Sequence, residues 1–310
     1  MPSETQNIRL GTRGSLLALW QSGWVKRELE KRGHKVELIQ IKTQGDVKTG
    51  PLSQIGGQGL FTKQLQVALH NDQIDLAVHS LKDLPTEDAA GLSIAAIPER
   101  ETTLDVLCFP KNDMSGSLES LSEGAIVGTG STRRAAQVLN MRPDLQIKDI
   151  RGNVETRLAK LDAGEYDAIV LAAAGLTRLG FEDRISYEFD PMKMLPAVGQ
   201  GALGLETRSD DEAIVEAVGE LKHVESYSAA LAERSMLRRL FAGCLAPVGA
   251  RCEIGAGKVT LTGVVLSRDG KIRIEASDSG PFDDFEKLGI SVAEKLIAEG
   301  ADKLLAAARS

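Results

Sequence analysis

A short apolar strand, a turn rich in Gly, Ser and Thr, and a helix follow one another at two places in this chain. The first turn is GTRGS at residues 11–15, and the second is GTGSTRR at residues 128–134. Aligned without gaps, IDLAV at 74–78 also matches YDAIV at 166–170. Repetition of one strand–turn–helix design predicts two α/β lobes with doubly wound sheets.

The apolar strand at 74–78 gives way abruptly to polar residues. Ser80, Lys82 and Asp83 follow it, and Pro85 prevents a long helix there. Ligands of an open α/β sheet bind beyond the carboxyl ends of its strands, so an ammonium and a carboxylate at this point are candidates for chemistry. The alternative is local: Ser80 caps a helical turn, with Asp83 as its acidic partner.

The second copy of the design lacks this charged pair. Ala174 and Gly175 occupy the positions that correspond to Lys82 and Asp83. A charged pair that occurs in one copy only favours a chemical role over general capping.

Arginines collect at the strand-to-helix turns, although the chain as a whole has a net charge of -7. A helix N-terminus favours an anion, and arginine adds a bidentate partner for carboxylate or phosphate. The turns therefore predict a pocket for a polycarboxylate or phosphate ligand. Its candidate arginines are Arg13, Arg133, Arg134, Arg151, Arg157 and Arg178.

Two segments mark crossings between the lobes. Residues 98–103 break the α/β pattern, and the Gly-rich segment 195–205 is predicted to return as a strand. Two crossings predict a hinged clamshell. The expected domains are lobe 1 at 1–99 with 197–221, lobe 2 at 100–196, and a small C-terminal α+β domain at 222–310.

The segment GDVKTGPLSQIGGQG at 45–59 contains five glycines and a proline and has no apolar period. This composition predicts a mobile loop, and its position between a strand and a helix of one lobe favours a lid. A plain linker is the alternative.

The C-terminal domain offers a cysteine on a tight loop. A helix is predicted from Tyr227 to Phe241; Gly243 would end it, and Pro247 would prevent its renewal. Cys244 lies within that loop. Position alone leaves a reactive thiol and a buried structural thiol equally open.

Composition excludes several classes of protein. With 42% hydrophobic and 26% charged residues the chain is typical of globular proteins. The negative net charge and only 4% aromatic residues disfavour a nucleic-acid partner. No apolar run spans a bilayer and no basic-then-apolar signal opens the sequence, so we expect a cytoplasmic protein without a membrane partner.

The three cysteines are odd in number and scattered, which favours reduced thiols over disulfides. Cys108 and Cys252 lie within strand patterns and are expected to be small buried hydrophobes. The four histidines make no metal-ligand spacing, so no metal site is expected.

Together these residues resemble one family, porphobilinogen deaminase, also called hydroxymethylbilane synthase. The resemblance covers nearly the whole chain. It is carried by the segments GTRGSLLALWQ, AVHSLKDLPT, GTGSTRRAAQ, IRGNVETRL, LAAAGLTRLG, LPAVGQGALG, AERSMLRRL and AGCLAPVG, in that order.

The resemblance implies clamshell lobes like those of periplasmic binding proteins, and a monomer. It implies that Cys244 holds a dipyrromethane cofactor by a thioether, which the enzyme builds from its own substrate, and that Asp83 and Lys82 are catalytic. The remaining implied contacts to the cofactor are Ser80, Lys82, Asp83, Thr129, Ser131, Arg133, Arg134, Arg151 and Gln200. The implied substrate-binding residues are Arg13, Ser15, Arg157 and Arg178.

The family condenses four porphobilinogens head to tail, releases ammonia each time, and frees hydroxymethylbilane by hydrolysis. Each porphobilinogen carries an acetate and a propionate, so a growing chain suits many arginines. Loss of ammonia leaves an electron-poor azafulvene. A carboxylate at Asp83 can accept ring N–H groups, stabilise the cation and move the proton.

One departure from the family concerns the loop at 45–59. The family commonly carries lysines where this chain has Gln54 and Gln58, although Lys48 and Lys63 lie nearby. The departure puts the role of the loop as a cationic lid in question, but not the activity.

Two other classes of protein share some of these features. A clamshell solute- or effector-binding protein would have the lobes and anion-binding turns but would not need Asp83 or Cys244. A phosphate-binding transferase would be expected to show a Walker-type lysine, which neither Gly-rich turn has. A covalent adduct of two pyrrole units in the intact mass separates the deaminase from both.

Overall fold

The computed structural model describes residues 4–41, 62–113, 115–242, 246–255 and 258–309. The described chain forms two compact units. The first unit comes from Met1–Arg100 and Ala202–Tyr227, and the second from Glu101–Gly201 and Ser228–Ser310. The predicted domain boundaries and the clamshell arrangement stay predictions.

The strands are β1 (Asn7–Thr12), β2 (Lys35–Gln40), β3 (Leu76–Ser80), β4 (Leu92–Ala96), β5 (Asp105–Cys108), β6 (Ile126–Gly128), β7 (Gln146–Lys148), β8 (Ala168–Ala172), β9 (Tyr187–Glu188), β10 (Leu203–Arg208), β11 (Val248–Gly255), β12 (Lys258–Leu266) and β13 (Arg273–Pro281). The α-helices are α1 (Leu16–Glu30), α2 (Lys63–His70), α3 (Thr132–Met141), α4 (Val154–Asp162), α5 (Ala173–Leu179), α6 (Glu212–Gly219), α7 (Val224–Arg239), α8 (Phe285–Ala298) and α9 (Ala301–Arg309).

The sheet of the first unit has the order β2-β1-β3-β10-β4. β1 is parallel to β2 and β3, whereas β10 is antiparallel to β3 and β4. Helices α1 and α6 cover one face through Val25, Leu29 and Ile214, and α2 covers the other through Leu65 and Leu69. Burial on both faces explains why β3 begins with three apolar residues in a row, Leu76 to Val78.

The larger sheet of the second unit repeats this arrangement in the order β7-β6-β8-β5-β9. β6 is parallel to β7 and β8, and β5 is antiparallel to β8 and β9. Val138 of α3 packs in the cluster on one face, while Leu158 and Leu161 of α4 pack in the cluster on the other. The prediction of two α/β lobes from the internal repeat is confirmed.

The smaller sheet of the second unit is antiparallel, in the order β11-β12-β13. Helices α7 and α8 pack on it through Met236, Val292 and Leu296. A Cβ at Gly263 of β12 would overlap the buried side chain of Met236, so a larger residue there would force that side chain of α7 to move. This confirms the small C-terminal α+β domain.

The predicted strand across 195–205 is wrong for most of its length, because β10 begins only at Leu203. The residues before it form turns, with positive φ angles of 72° at Gly199 and 82° at Gly201. Those angles are incompatible with an extended strand.

The predicted end of the helix before Cys244 is also wrong. Helix α7 ends at Arg239, and the left-handed residue that terminates it is Phe241, with φ 48°. The amide of Phe241 donates to the carbonyl of Arg238, and the next amide donates to that of Leu237. This hydrogen-bond pair closes the last turn in the way a terminal glycine usually does. Gly243, predicted to have this role, lies outside the described residues.

Within the described ranges, no helix combines the length and the apolar character needed to cross a membrane.

Candidate active site

The first group of candidate residues lies at the carboxyl edge of the sheet in the first unit. β1 and β3 are adjacent and parallel, with Leu10 paired to Leu76. The turns that follow the two strands therefore lie at the same edge. Arg13 and Ser15 follow β1, and Ser80, Lys82 and Asp83 follow β3.

The turn after β1 is held by local hydrogen bonds. The Ser15 hydroxyl accepts from the amide of Ala18 at 3.3 Å and caps α1. The buried Thr12 hydroxyl donates to the Ala18 carbonyl at 3.2 Å. Arg13, between them, is half-buried. The positive end of α1 and the Arg13 guanidinium thus lie at one turn.

Ser80 does not cap the turn that follows it. Residues Leu81–Asp83 form a 3₁₀ turn with no hydrogen bond from the Ser80 side chain to its backbone. Instead the amide nitrogen of Gln21 on α1 donates to the Ser80 hydroxyl at 2.9 Å. The capping alternative is therefore wrong, and the contact joins α1 to the end of β3.

Asp83 is exposed and Lys82 is half-buried. Within the part of the chain that the structure describes, the Asp83 carboxylate makes no hydrogen bond or ion pair. A fixed 3₁₀ turn with an uncommitted carboxylate leaves both oxygens available to N–H donors of a ligand.

The second group lies at the corresponding edge of the larger sheet in the second unit, after β6. The Ser131 hydroxyl accepts from the Arg134 amide at 3.5 Å and caps α3. Buried Thr129 accepts at its hydroxyl from the Ser131 amide at 3.2 Å. This turn repeats the one after β1, as the two Gly-rich segments predict.

Arg133 and Arg134, in the first turn of α3, are buried and converge on Asp105. Nη1 of Arg133 is 2.5 Å from Oδ2 of Asp105, and Nη2 of Arg134 is 2.7 Å from Oδ1. The side-chain amide of Gln200 also donates to Asp105 Oδ1, at 2.9 Å, and to the Thr103 carbonyl, at 2.7 Å. The structure thus brings together three of the predicted cofactor contacts through a carboxylate that the sequence did not single out.

The neighbouring charges in this cluster control the ionisation of the Asp105 carboxyl group. Burial by itself would raise the pKa of Asp105, but the positive charges of Arg133 and Arg134 lower it to about 2. Burial lowers the pKa of Arg133, and the charge of Asp105 opposes that effect. Asp105 is therefore ionised at neutral pH, and one negative charge faces two positive ones.

The other predicted arginines of the second unit have separate partners. Nε of Arg151 is 2.8 Å from a carboxylate oxygen of Asp149, and the pair is partly exposed. Arg157 on α4 donates from Nε to the Gly152 carbonyl at 2.8 Å. Arg178 is buried and donates from Nη2 to the Gly201 carbonyl at 2.7 Å. Burial lowers the pKa of Arg178.

The cysteines differ in what the structure describes. Cys244 and the loop at 45–59 with Gln54 and Gln58 lie outside the described residues. Cys108 is fully buried in β5, and burial raises the pKa of its thiol to about 12. Cys252 lies in β11, half-buried, and its thiol donates to the Ala229 carbonyl at 3.4 Å.

Two residues of the site were missed from the sequence. Asp105 opens an otherwise apolar strand, DVLC, and a carboxylate in such a strand requires a buried positive partner. Gln21 lies at the end of the segment GTRGSLLALWQ, but no pattern in the sequence pointed to Ser80 as its partner. Both contacts link residues distant in the chain.

Comparison with solved structures gives only a remote likeness. The methionine-binding protein MetQ aligns over 74% of this chain and 93% of its own, with 14% identity and a TM-score of 0.44.

Comparison of sequences is far more specific. A family model described as porphobilinogen deaminase, dipyromethane cofactor binding domain, matches residues 8–216. A second, described as porphobilinogen deaminase, C-terminal domain, matches residues 227–298.

Proteins named porphobilinogen deaminase are similar along almost their whole length. The one from Geobacter sulfurreducens is 49% identical over 303 residues, which span 96% of this chain and 94% of that protein. Those from Geobacter metallireducens and Nostoc sp. are 48% and 46% identical, over 97% and 98% of this chain and 94% and 95% of theirs. With both parts of the chain matched and half of its residues shared with such relatives, this chain belongs to the porphobilinogen deaminase family.

Proposed function

We propose that this chain condenses four porphobilinogen molecules head to tail, releasing ammonia each time, and so yields the linear tetrapyrrole hydroxymethylbilane. It is a transferase of tetrapyrrole biosynthesis. The observation that carries the residue assignment is the exposed Asp83 carboxylate, which no described side chain engages, at the carboxyl end of β3.

The buried cluster on α3 suits a dipyrromethane cofactor, whose side chains are carboxylates. Two arginines face one aspartate there, which leaves one positive charge for an anion. Nε of Arg133 is buried and has no hydrogen-bond partner among the described residues. A guanidinium with an unused N–H and an uncompensated charge fits a carboxylate.

The residues proposed to hold the cofactor come from two places in the chain, the turns around this cluster in the second unit and the end of β3 in the first. Cys244 would carry it through a thioether. The non-covalent contacts would be Ser80, Lys82, Asp83, Thr129, Ser131, Arg133, Arg134, Arg151 and Gln200. When bound, the group supplies the pyrrole carbon from which the product is extended.

Asp83 is proposed as the catalytic carboxylate. Its oxygens accept the N–H groups of a bound pyrrole, stabilise the positive charge that develops as ammonia leaves, and take up the proton released on substitution of the ring carbon. Lys82, beside it, is proposed to protonate or bind the departing amine. The fixed 3₁₀ turn and the Gln21 contact to Ser80 hold this segment in place before substrate arrives.

The incoming porphobilinogen is proposed to bind through Arg13, Ser15, Arg157 and Arg178. Its acetate and propionate require cations or N–H donors. The α1 N-terminus beside Arg13 offers both, because the first amides of a helix have no partner within the helix and carry partial positive charge.

The decisive test is the intact mass of the purified protein together with a porphobilinogen turnover assay. We expect a covalent adduct of two pyrrole units and turnover in the wild type. Cys244→Ser should lack the adduct and most of the activity. Cys108→Ala and Cys252→Ser are the matched controls, and both should keep the adduct. An adduct on either control position would disprove the assignment of Cys244.

Two further properties belong to this proposal, a cytoplasmic location and a monomeric state. Cys108 and Cys252 are free thiols, which supports a reducing compartment. Light scattering on the purified protein tests the monomer, and a mass of twice 33.2 kDa would contradict it.

A further inference from the structure

Asp105 has no direct part in the proposed reaction, but it is the centre of a buried polar network. It is 1% exposed and receives hydrogen bonds from Arg133, Arg134 and Gln200. Each of these three partners is also tied to the backbone of the second unit, through the carbonyls of Leu195, Val170 and Thr103 respectively. The carboxylate therefore has a fixed position, and so do the groups that it binds.

The network also fixes the orientation of the two guanidinium groups. Arg134 binds Asp105 through both Nε and Nη2, at 2.9 and 2.7 Å. Arg133 binds it through Nη1, which leaves the buried Nε without a described partner. Because a guanidinium is planar and rigid, a carboxylate that binds one of its edges also fixes the direction of the N–H groups on the other edges.

We propose that Asp105 is a positioning residue: it orients Arg133 and Arg134 toward the carboxylates of the cofactor and lowers the charge of the pair to a single positive one. The inference rests on the proposed function, because it takes the arginine pair as the cofactor anchor. Without the negative charge of Asp105, the guanidinium groups of Arg133 and Arg134 would repel each other and would bind an inorganic anion from the solution. With Asp105 bound, the arginine pair has one net positive charge, which suits a single carboxylate of the cofactor.

The first measurement is the rate at which cofactor-free protein acquires the two-pyrrole adduct from porphobilinogen, followed by intact mass. Asp105→Asn keeps the shape and removes the charge, and it should slow adduct formation by about 10- to 100-fold. Asp75→Asn is the matched control. Asp75 also binds two arginines, Arg9 and Arg208, and has a pKa lowered to about 2, but it lies at the opposite end of β3 from Asp83. That control should acquire the adduct at the wild-type rate.

The second measurement does not depend on the reaction. In a Cys244→Ser background, the thermal midpoint is compared in sodium sulfate and in sodium chloride of equal ionic strength. Sulfate should stabilise Asp105→Asn more than the parent, because it replaces the missing negative charge. Asp75→Asn should respond like the parent, because Arg9 and Arg208 keep Asp72 and Asp211 as partners.

Wild-type adduct formation by Asp105→Asn, or a sulfate response equal to that of the parent, would overturn the inference. If Asp105→Asn does not fold, Asp105→Glu takes its place: it keeps the charge and displaces it, so it should fold and still acquire the adduct slowly. A wild-type rate in that variant would overturn the inference as well. Absence of adduct and turnover in the wild type would instead refute the proposed function. The sulfate comparison would then still show whether Asp105 neutralises one charge of the arginine pair.

Discussion

Asp75 provides the sharpest stability prediction, because its carboxylate is buried and accepts hydrogen bonds from two arginines. The backbone amide and Nε of Arg9 each lie 2.9 Å from Oδ2, and Nη2 of Arg9 lies 2.6 Å from Oδ1. Nη2 of Arg208 is 2.8 Å from Oδ1. We expect Asp75→Asn to destabilise the first unit in a manner that depends on pH.

The size of the effect follows from the ionisation of the carboxyl group. Burial would raise the pKa of Asp75, but the bonds from Arg9 and Arg208 lower it from 3.8 to about 2. A lowered pKa stabilises the folded state above pH 3.8, and this stabilisation is lost as the pH falls toward 2. The shift corresponds to about 2 kcal/mol at pH 7, and about half of that is gone by pH 3.

The two tryptophans of the chain, Trp20 and Trp24, both lie on α1 in the first unit. Their fluorescence therefore reports the unfolding of the unit that contains Asp75. Urea denaturation of wild type and Asp75→Asn should show a gap of about 2 kcal/mol in unfolding free energy at pH 7, and about half that gap at pH 3.

Glu28→Gln is the matched control, because Glu28 lies on α1, the helix that carries both tryptophans. Glu28 pairs with Lys31 at the surface, and exposed pairs of this kind contribute little. Its gap should be small at both pH values. The reasoning is refuted if the gap of Asp75→Asn is the same at pH 7 and pH 3, or if it does not exceed that of Glu28→Gln.

Three further predictions concern the site and the loop that follows α7. Asp83→Ala should fold and retain less than about 1% of turnover, whereas Asp83→Glu, with the charge displaced by one methylene, should keep a small residual rate; near-normal turnover by Asp83→Ala would remove its catalytic role. Arg13→Leu should carry the adduct in its intact mass yet stall elongation of the product; isolation of only cofactor-free protein would show that Arg13 serves cofactor assembly instead. Phe241→Gly should raise the unfolding free energy by about 1 kcal/mol, because Phe241 is 72% exposed and has a left-handed backbone. Phe241→Ala keeps the Cβ and should not raise the unfolding free energy. Equal stability of the two variants in a thermal melt would contradict the prediction of backbone strain at this position.

Much of the fold could be read from local patterns. The apolar strands, the two Gly-rich turns and the matched segments at 74–78 and 166–170 predicted both α/β lobes, because one strand–turn–helix unit has few ways to bury its apolar side. The small C-terminal α+β domain was predicted as well, and the antiparallel sheet β11-β12-β13 confirms it.

Local patterns gave the wrong result at the end of α7 and at Ser80. Gly243 is the usual kind of helix terminator, yet α7 ends earlier with Phe241 in the left-handed conformation. The hydrogen bonds that close the last turn offset the steric cost of that backbone. At Ser80 the cause is a distant residue: its side chain binds Gln21, 59 positions earlier, and leaves the following turn uncapped.

The sequence by itself determined that Asp83 follows the end of a buried strand and that arginines follow the Gly-rich turns, because strand periodicity and turn residues are local properties. Only the tertiary structure decided which groups touch. Asp105 binds arginines 28 and 29 positions further along the chain, and Gln21 binds a serine 59 positions away. Such contacts are set by the strand order of the sheets, which brings distant segments side by side. A buried carboxylate requires a positive partner, but spacing along the chain does not say which arginine provides it.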